Sequence, residues 1–250
     1  MAFSCYYPPM PAIARTRLDR FISRCENIHR KDVRLMLAQG RIQLDGMQAQ
    51  SMNQVVGQFT RVTLDDRVLQ SRTACYLMLN KPCGVVSATR DPLHRTVIDL
   101  VDASPDHALH IAGRLDFNSS GLMLLTNDGA WSRGLSDPDA RVTKTYRVTV
   151  QRPLRQGDID AFRAGMHFSY EDITTRPAEL MILSAYEAQV TLIEGRYHQI
   201  KRMFGRLGNR VLSIHRNAIG ELTLDPALAS GESRPLQLDE LQRLRVPHAG

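Results

Sequence analysis

Four strings of this sequence hold residues able to do chemistry. In GRLDFNSSGLMLLTNDG, residues 113–129, Asp116 sits between Leu115 and Phe117, ahead of a Ser-Ser-Gly turn and an apolar run. A carboxylate between apolar neighbours at a strand entrance is both desolvated and aimed, and its charge then calls for a cationic partner. A loop aspartate can equally bond the amides of its own turn, and these residues alone leave both readings open. In KTYRVTV, 144–150, alternation places Lys144, Tyr146 and Val148 on one face of a strand. Tyr146 is then either a packing residue or a platform on which a nucleobase stacks. In EGRYHQIKRMFGRLGN, 194–209, Ile200, Met203, Phe204 and Leu207 recur at the spacing of one helix face, with Arg202, Arg206 and Arg210 on a basic stripe. Lys201 lies beside the apolar stripe, not opposite it. It is either a snorkelling surface lysine or a half-buried cation that needs a carboxylate, for which Asp116 is the candidate. The fourth string, LNKPCGVVS at 79–87, is a strand followed by Lys-Pro-x-Gly, which by itself indicates a turn.

The elements that must hold these residues read as mixed α and β. Residues 1–16 carry no period and several breakers, which predicts a loose arm. From residue 17 the spacing predicts a helix with Leu18, Phe21 and Ile22 on one face, then a second with Val33, Met36 and Leu37, stopped by Gly40. RIQLDG follows as a strand closed by an Asp45-Gly46 turn, and RVTL at 61–64 alternates as another. This first unit is expected to span 17–70, with QSRT at 70–73 as a linker and a larger domain over 74–245. In the larger domain, strands are expected at 75–79, 121–126, 145–150, 188–193 and 211–214. Helices are expected at 96–101, 158–165, 198–207 and 238–244. Strands interrupted irregularly by helices predict α+β, not βαβ repetition. No repeat and no GxxxxGK[ST] loop occurs.

Charge points to the partner. The 250 residues carry 32 basic and 26 acidic side chains, a formal +6. Residues 15–41 alone hold eight basic groups against three acids. Residues 195–216 hold Arg196, Lys201, Arg202, Arg206, Arg210 and Arg216 with no acid. Two concentrated basic surfaces suit a polyanion, although solvated basic faces are the plainer alternative. Only four of the 32 basic residues are lysines (Lys31, Lys81, Lys144 and Lys201), so those positions stand out. Cys5, Cys25, Cys75 and Cys83 make no CxxC and no metal spacing, and predict reduced thiols in a cytosolic protein. No apolar run is long enough for a membrane helix, and Pro8, Pro9 and Pro11 speak against a signal peptide. His107 and His110 lie three apart without a carboxylate in a helical frame, and no GxSxG exists, so metalloenzyme and serine-hydrolase readings have little support.

Taken in order, the four strings resemble pseudouridine synthases of the RsuA type, and RLDRFISRCENIHRKDVRLMLAQGRIQLDG resembles the S4-type RNA-binding module that precedes such domains. The likeness covers about residues 17–245. It implies a small S4-type domain followed by a catalytic domain with a mixed, mainly antiparallel sheet and a central cleft. By motif position, Asp116 of GRLD matches the essential aspartate, Tyr146 of KTYRV the tyrosine that stacks on the target base, and Lys201 of HQIK the cation paired with the aspartate. Lys81 and Pro82 match a Lys-Pro motif of structural support. RNA contacts are expected from Arg17, Arg20, Arg24, Arg30, Lys31, Arg34 and Arg41 in the first unit. Arg114, Arg196, His198 and Arg202 are expected to contact RNA around the cleft. Phe117 departs from the charged residue that many relatives carry after the aspartate.

The implied reaction moves C1′ of a uridine from N1 to C5 of its own uracil, so no cofactor and no metal is expected. The expected substrate is 16S ribosomal RNA in a partly assembled subunit. DITTRPAEL at 172–180 and YHQIKRM resemble the small-subunit enzymes more than large-subunit relatives, which more often read NRQIRRM. The same reaction on 23S rRNA or tRNA, and a non-catalytic assembly protein, are the alternatives. Nothing in the sequence demands more than a monomer.

Overall fold

The computed structural model describes residues 15–101 and 108–244. The expected arm as far as residue 14, with Cys5, and His107 lie outside the described residues. The chain divides between Ala74 and Cys75 into two compact units.

The first unit runs β1 (Thr16–Arg17), α1 (Leu18–Glu26), α2 (Arg30–Ala38), β2 (Ile42–Leu44), β3 (Met47–Gln48), β4 (Val55–Val56), β5 (Val62–Leu64) and β6 (Arg67–Gln70). Thr16 pairs with Val56, so a strand begins inside the stretch expected to be loose. β2 and β5 lie together in a four-stranded sheet of order β3-β2-β5-β6. Asp45 and Gly46, at φ 51° and 81°, make the tight β2–β3 turn that needs two left-handed residues. Leu18, Phe21 and Ile22 of α1 and Val33 of α2 close a core with Ile42, Val62 and Leu64. Asp19 is buried in this unit and is held by Arg17 and Arg30. Burial alone would raise its carboxyl, but the hydrogen bonds and charge of these arginines hold it below the usual carboxylate range.

The second unit runs β7 (Tyr76–Lys81), β8 (His110–Ala112), β9 (Ser120–Thr126), α3 (Gly129–Ser136), β10 (Lys144–Val150) and α4 (Gln156–Ala164). It continues with β11 (His167–Phe168), β12 (Ile173–Thr174), β13 (Glu179–Ser184), β14 (Glu187–Leu192), α5 (Gln199–Arg206), β15 (Val211–Ile219), β16 (Leu222–Thr223), β17 (Ser233–Pro235) and α6 (Leu238–Arg243). Its main sheet has the order β13-β14-β10-β15-β9-β7-β17, with β8 on β9 and β16 on β15. All pairings in it are antiparallel except β9 with β15. The fold is α+β, as expected.

The apolar run of β9 has a plain cause: both faces of the sheet are covered, so alternation is lost. Met123 and Leu125 face a core with Phe162 of α4 and Met203 and Phe204 of α5. Leu122 and Leu124 face another with Leu135 of α3 and Ile219.

Four expectations need correction. The helix at 96–101 is one 3₁₀ turn, Ile98–Leu100. α3 stands where no helix is expected, because Gly129 and Gly134 weaken any helical pattern. It starts where Asp128 accepts from the amides of Ala130 and Trp131. β13 is likewise additional to the expected strands, since only one of its six residues, Leu180, is buried, which leaves no clean alternation. Lys-Pro-x-Gly is more than a turn, since Lys81 is the last residue of β7 and is fully buried.

Candidate active site

The GRLD loop leaves β8 and re-enters the sheet as β9. Between them its carbonyls are held by two buried cations. Lys81 Nζ donates to the carbonyls of Pro82, Asp116 and Ser119 at 2.9, 3.2 and 2.8 Å, and reaches that of Phe117 at 3.5 Å. Burial pushes this ammonium down to about 8. It is still mostly charged at neutral pH, and the ring of carbonyl oxygens replaces its lost water. Arg216, only 1% exposed, donates to the carbonyls of Gly113, Arg114 and Leu122. Arg216 therefore does not belong to the basic surface expected over 195–216. A third tie is Ser87, whose Oγ donates to the Leu115 carbonyl at 2.5 Å and accepts from its amide at 3.1 Å. The loop closes as a tight turn, with the Ser119 amide on the Asp116 carbonyl at 3.0 Å.

Gly121 follows in the Ser-Ser-Gly turn, with φ +105°. It stands opposite Arg216 in the parallel β9–β15 contact, and a Cβ there would lie 2.3 Å from the Arg216 carbonyl oxygen. Only glycine lets the two strands meet here, and that contact places Arg216 under the loop.

So held, the Asp116 carboxylate faces the start of α5. Lys201 Nζ donates to Asp116 Oδ2 at 3.1 Å, and His198 Nε2 stands 3.5 Å from the same oxygen. Both members of the Lys201–Asp116 pair are about one-third exposed, so water still reaches them. The entry to α5 is built by Glu194. Its buried carboxylate accepts from the Arg176 amide, Gln199 Nε2 and Arg196 Nε at 3.0, 2.7 and 3.0 Å. His198 takes a left-handed backbone, φ 49°, just before the helix, and its ring stacks on exposed Tyr197 with centroids 3.9 Å apart. Tyr146 comes from β10, with Val190 of β14 and Arg216 of β15 as its cross-strand neighbours.

Asp116, Tyr146, His198 and Lys201 thus converge. A cleft of about 480 Å³, including its open mouth, is lined by Arg114, Asp116, Tyr146, Arg196, His198 and Gln199 over an apolar floor of Leu115, Leu192, Ile200 and Ile214. Among its described lining residues Asp116 is the only carboxylate.

Residues 75–205 match the family model described as RNA pseudouridylate synthase. A relative from Pseudomonas aeruginosa, ribosomal small subunit pseudouridine synthase A, is 48% identical over 90% of this chain and 98% of its own length. The protein of the same description from Yersinia pestis is 40% identical over 93% of this chain and 99% of its own. The chain belongs to the RNA pseudouridylate synthase family. A solved structure described as a pseudouridylate synthase matches with a TM-score of 0.67 at 36% identity, covering 92% of this chain and 99% of that one. The enzyme is therefore an isomerase.

The other expected RNA contacts divide by what already holds them. Arg17 and Arg30 are engaged by Asp19, and Arg41 by Asp65. Arg196 is on Glu194. Arg202 pairs with Glu171 at 2.6 Å and lies 4.2 Å over the Phe168 ring. Arg20, Arg24, Lys31, Arg34 and Arg114 are exposed and have no ion pair among the described residues.

Sequence reasoning does not reach the roles of Arg216, Glu194 and Ser87. A signal exists for Arg216, which shares a strand face with buried Ile214. Ser87 carries no local signal, because it bonds backbone 28 residues away, whereas Glu194 stands two and five residues from its side-chain partners Arg196 and Gln199, a spacing the sequence does display.

Proposed function

We propose that this protein isomerises one uridine of 16S ribosomal RNA to pseudouridine, as a cytoplasmic monomer acting on a partly assembled small subunit. The observation that carries the reading is that Asp116 and Tyr146 line one cleft, with Lys201 bonded to the Asp116 carboxylate. The small-subunit assignment draws on relatives of that description matched over nearly their whole length.

The roles follow from the chemistry. The C1′–N1 bond breaks, the uracil turns, C1′ joins C5, the C5 proton leaves and N1 gains one. Atoms balance without a cofactor. The Asp116 carboxylate acts at the sugar, as nucleophile on C1′, as counter-charge to it, or as base toward a sugar proton; each role needs it ionised. Lys201 donates to it at 3.1 Å and fixes its direction. A hydrolytic glycosidase would need a second carboxylate to activate water. None stands among the described lining residues, which suits a site that must retain the free uracil. Tyr146 stacks on the flipped base and offsets part of the few kcal/mol that unstacking costs. The first unit is an S4-type RNA-binding domain, and Arg20, Arg24, Lys31 and Arg34 are its phosphate-facing residues.

The test offers separate 16S, 23S and tRNA transcripts, with and without small-subunit ribosomal proteins, and maps the product by carbodiimide primer extension. We expect one stop in 16S rRNA, absent with Asp116→Asn, whose RNA affinity stays within a few fold of wild type. Product confined to 23S rRNA or tRNA overturns the substrate and leaves the chemistry. Turnover by Asp116→Asn above a few per cent overturns the role of Asp116.

A further inference from the structure

A second groove adjoins the uridine cleft. Arg114 lines both, and the groove continues past Ser87, Thr89, Arg90 and His110. Arg133 of α3 borders it, since a methyl on Gly129 would stand 3.2 Å from Arg133 Nη1 and 3.9 Å from His110 Nε2. Arg90, Arg114 and Arg133 are all exposed, and none has an ion pair among the described residues. Arg196 and Arg202, on α5 and its entry, are by contrast already neutralised by Glu194 and Glu171. No carboxylate occurs among the described residues lining the groove. Three guanidiniums without an ion pair among the described residues, and the exposed Thr89 hydroxyl, around one groove recognise an extended polyanion: guanidinium forks take phosphate oxygens in pairs, and a hydroxyl adds a single bond.

Resting on the proposed RNA substrate, we propose that this groove holds the backbone phosphates next to the flipped uridine. Arg114 marks where the strand passes from cleft to groove. Ser87 makes the passage rigid, because it lines the groove while its Oγ holds both backbone groups of Leu115, the residue before Asp116. A strand gripped there enters the cleft at a set distance from the carboxylate. The groove is thus a KM element for single-stranded RNA, separate from the chemistry.

The experiment uses the full chain and the RNA that wild type modifies. Arg90→Ala and Arg133→Ala are compared with Arg163→Ala, which removes an equal charge from exposed α4. Loss of one charge-assisted phosphate bond is expected to raise KM about tenfold and to lower the slope of log K against log salt by ~0.7. The kcat at saturating RNA and the melting temperature stay at wild type. A single neutral methylphosphonate beside the target in a short synthetic RNA should weaken wild type by a similar factor and leave Arg90→Ala or Arg133→Ala without further loss. Variants that keep wild-type KM and salt slope, or that only match Arg163→Ala, overturn the groove while pseudouridine still forms. Failure of wild type to form pseudouridine in any RNA overturns the functional reading itself.

Discussion

Lys81 and Arg216 are buried cations that donate to backbone carbonyls instead of carboxylates. This choice matters beside an aspartate proposed to react. A carboxylate partner would bring a second negative group next to Asp116, whereas a carbonyl cage holds the loop without one. Removing the donor strands several buried acceptors at once. Lys81→Met is therefore expected to lower stability by about 1–3 kcal/mol, the cost of leaving buried acceptors unpaired, read as a fall in the urea midpoint. Lys201 is different, being one-third exposed. Its loss should leave the fold intact and act on the reaction. Lys201→Met is expected to lower kcat on the order of 10²-fold with KM within a few fold, and Lys201→Arg to recover much of it, because the charge is kept. Single-turnover kinetics with both variants checks this. Equal activity of Met and Arg at 201 would show that charge there is irrelevant.

At the scale of elements, the parallel contact of β9 with β15 sets the site. It brings Gly121 against Arg216 and Ser120 against His215. Gly121→Ala must push the strands apart or strain a φ of +105°. A loss of about 1–3 kcal/mol and a larger fractional loss of kcat are expected, measured by thermal melting and turnover on the same preparation. His215 Nδ1 lies 2.9 Å from Ser120 Oγ across this junction. Burial, with Arg147 nearby, holds its imidazole below the usual histidine value. The unfolded chain then takes up the proton first as pH falls. The stability linked to His215 is whole above about pH 6.5 and is lost as pH drops through the lower folded value. Melting temperatures of wild type and His215→Gln between pH 7.5 and 5 should converge toward the acid end. Parallel curves would remove His215 from the linkage.

On the scale of the molecule, the basic character is split between two units with separate cores. The first carries 11 basic and 6 acidic residues up to Thr73, an excess the second unit nearly lacks. Chemistry and grip are then expected to separate. Deleting residues 1–70 should leave a folded synthase unit with weaker RNA binding. The slope of log K against log salt should fall by ~0.7–0.9 for each phosphate that the first unit neutralises. Filter binding across a salt series measures it, and an unchanged slope would show that the first unit does not touch RNA.

Periodic elements were legible in the sequence, because periodicity is a local property. The expected helices 158–165, 198–207 and 238–244 stand as 156–164, 199–206 and 238–243, and the strand 145–150 as 144–150. The motif strings also singled out Asp116, Tyr146 and Lys201 by residue type and context. What the sequence could not contain was the long-range backbone bonding. The carbonyls that Lys81 and Arg216 hold are up to 103 residues away in the chain, and nothing in side-chain pattern announces an acceptor on a main chain. α3, where Gly129 and Gly134 dilute the apolar pair Trp131 and Leu135, and β13, with most of its residues exposed, escaped local reading because their own periodicity is weak. Residue identity determined which groups could do the chemistry. The sheet register decided where they point, because only the approach of β9 to β15 places a buried guanidinium under the loop that aims the carboxylate.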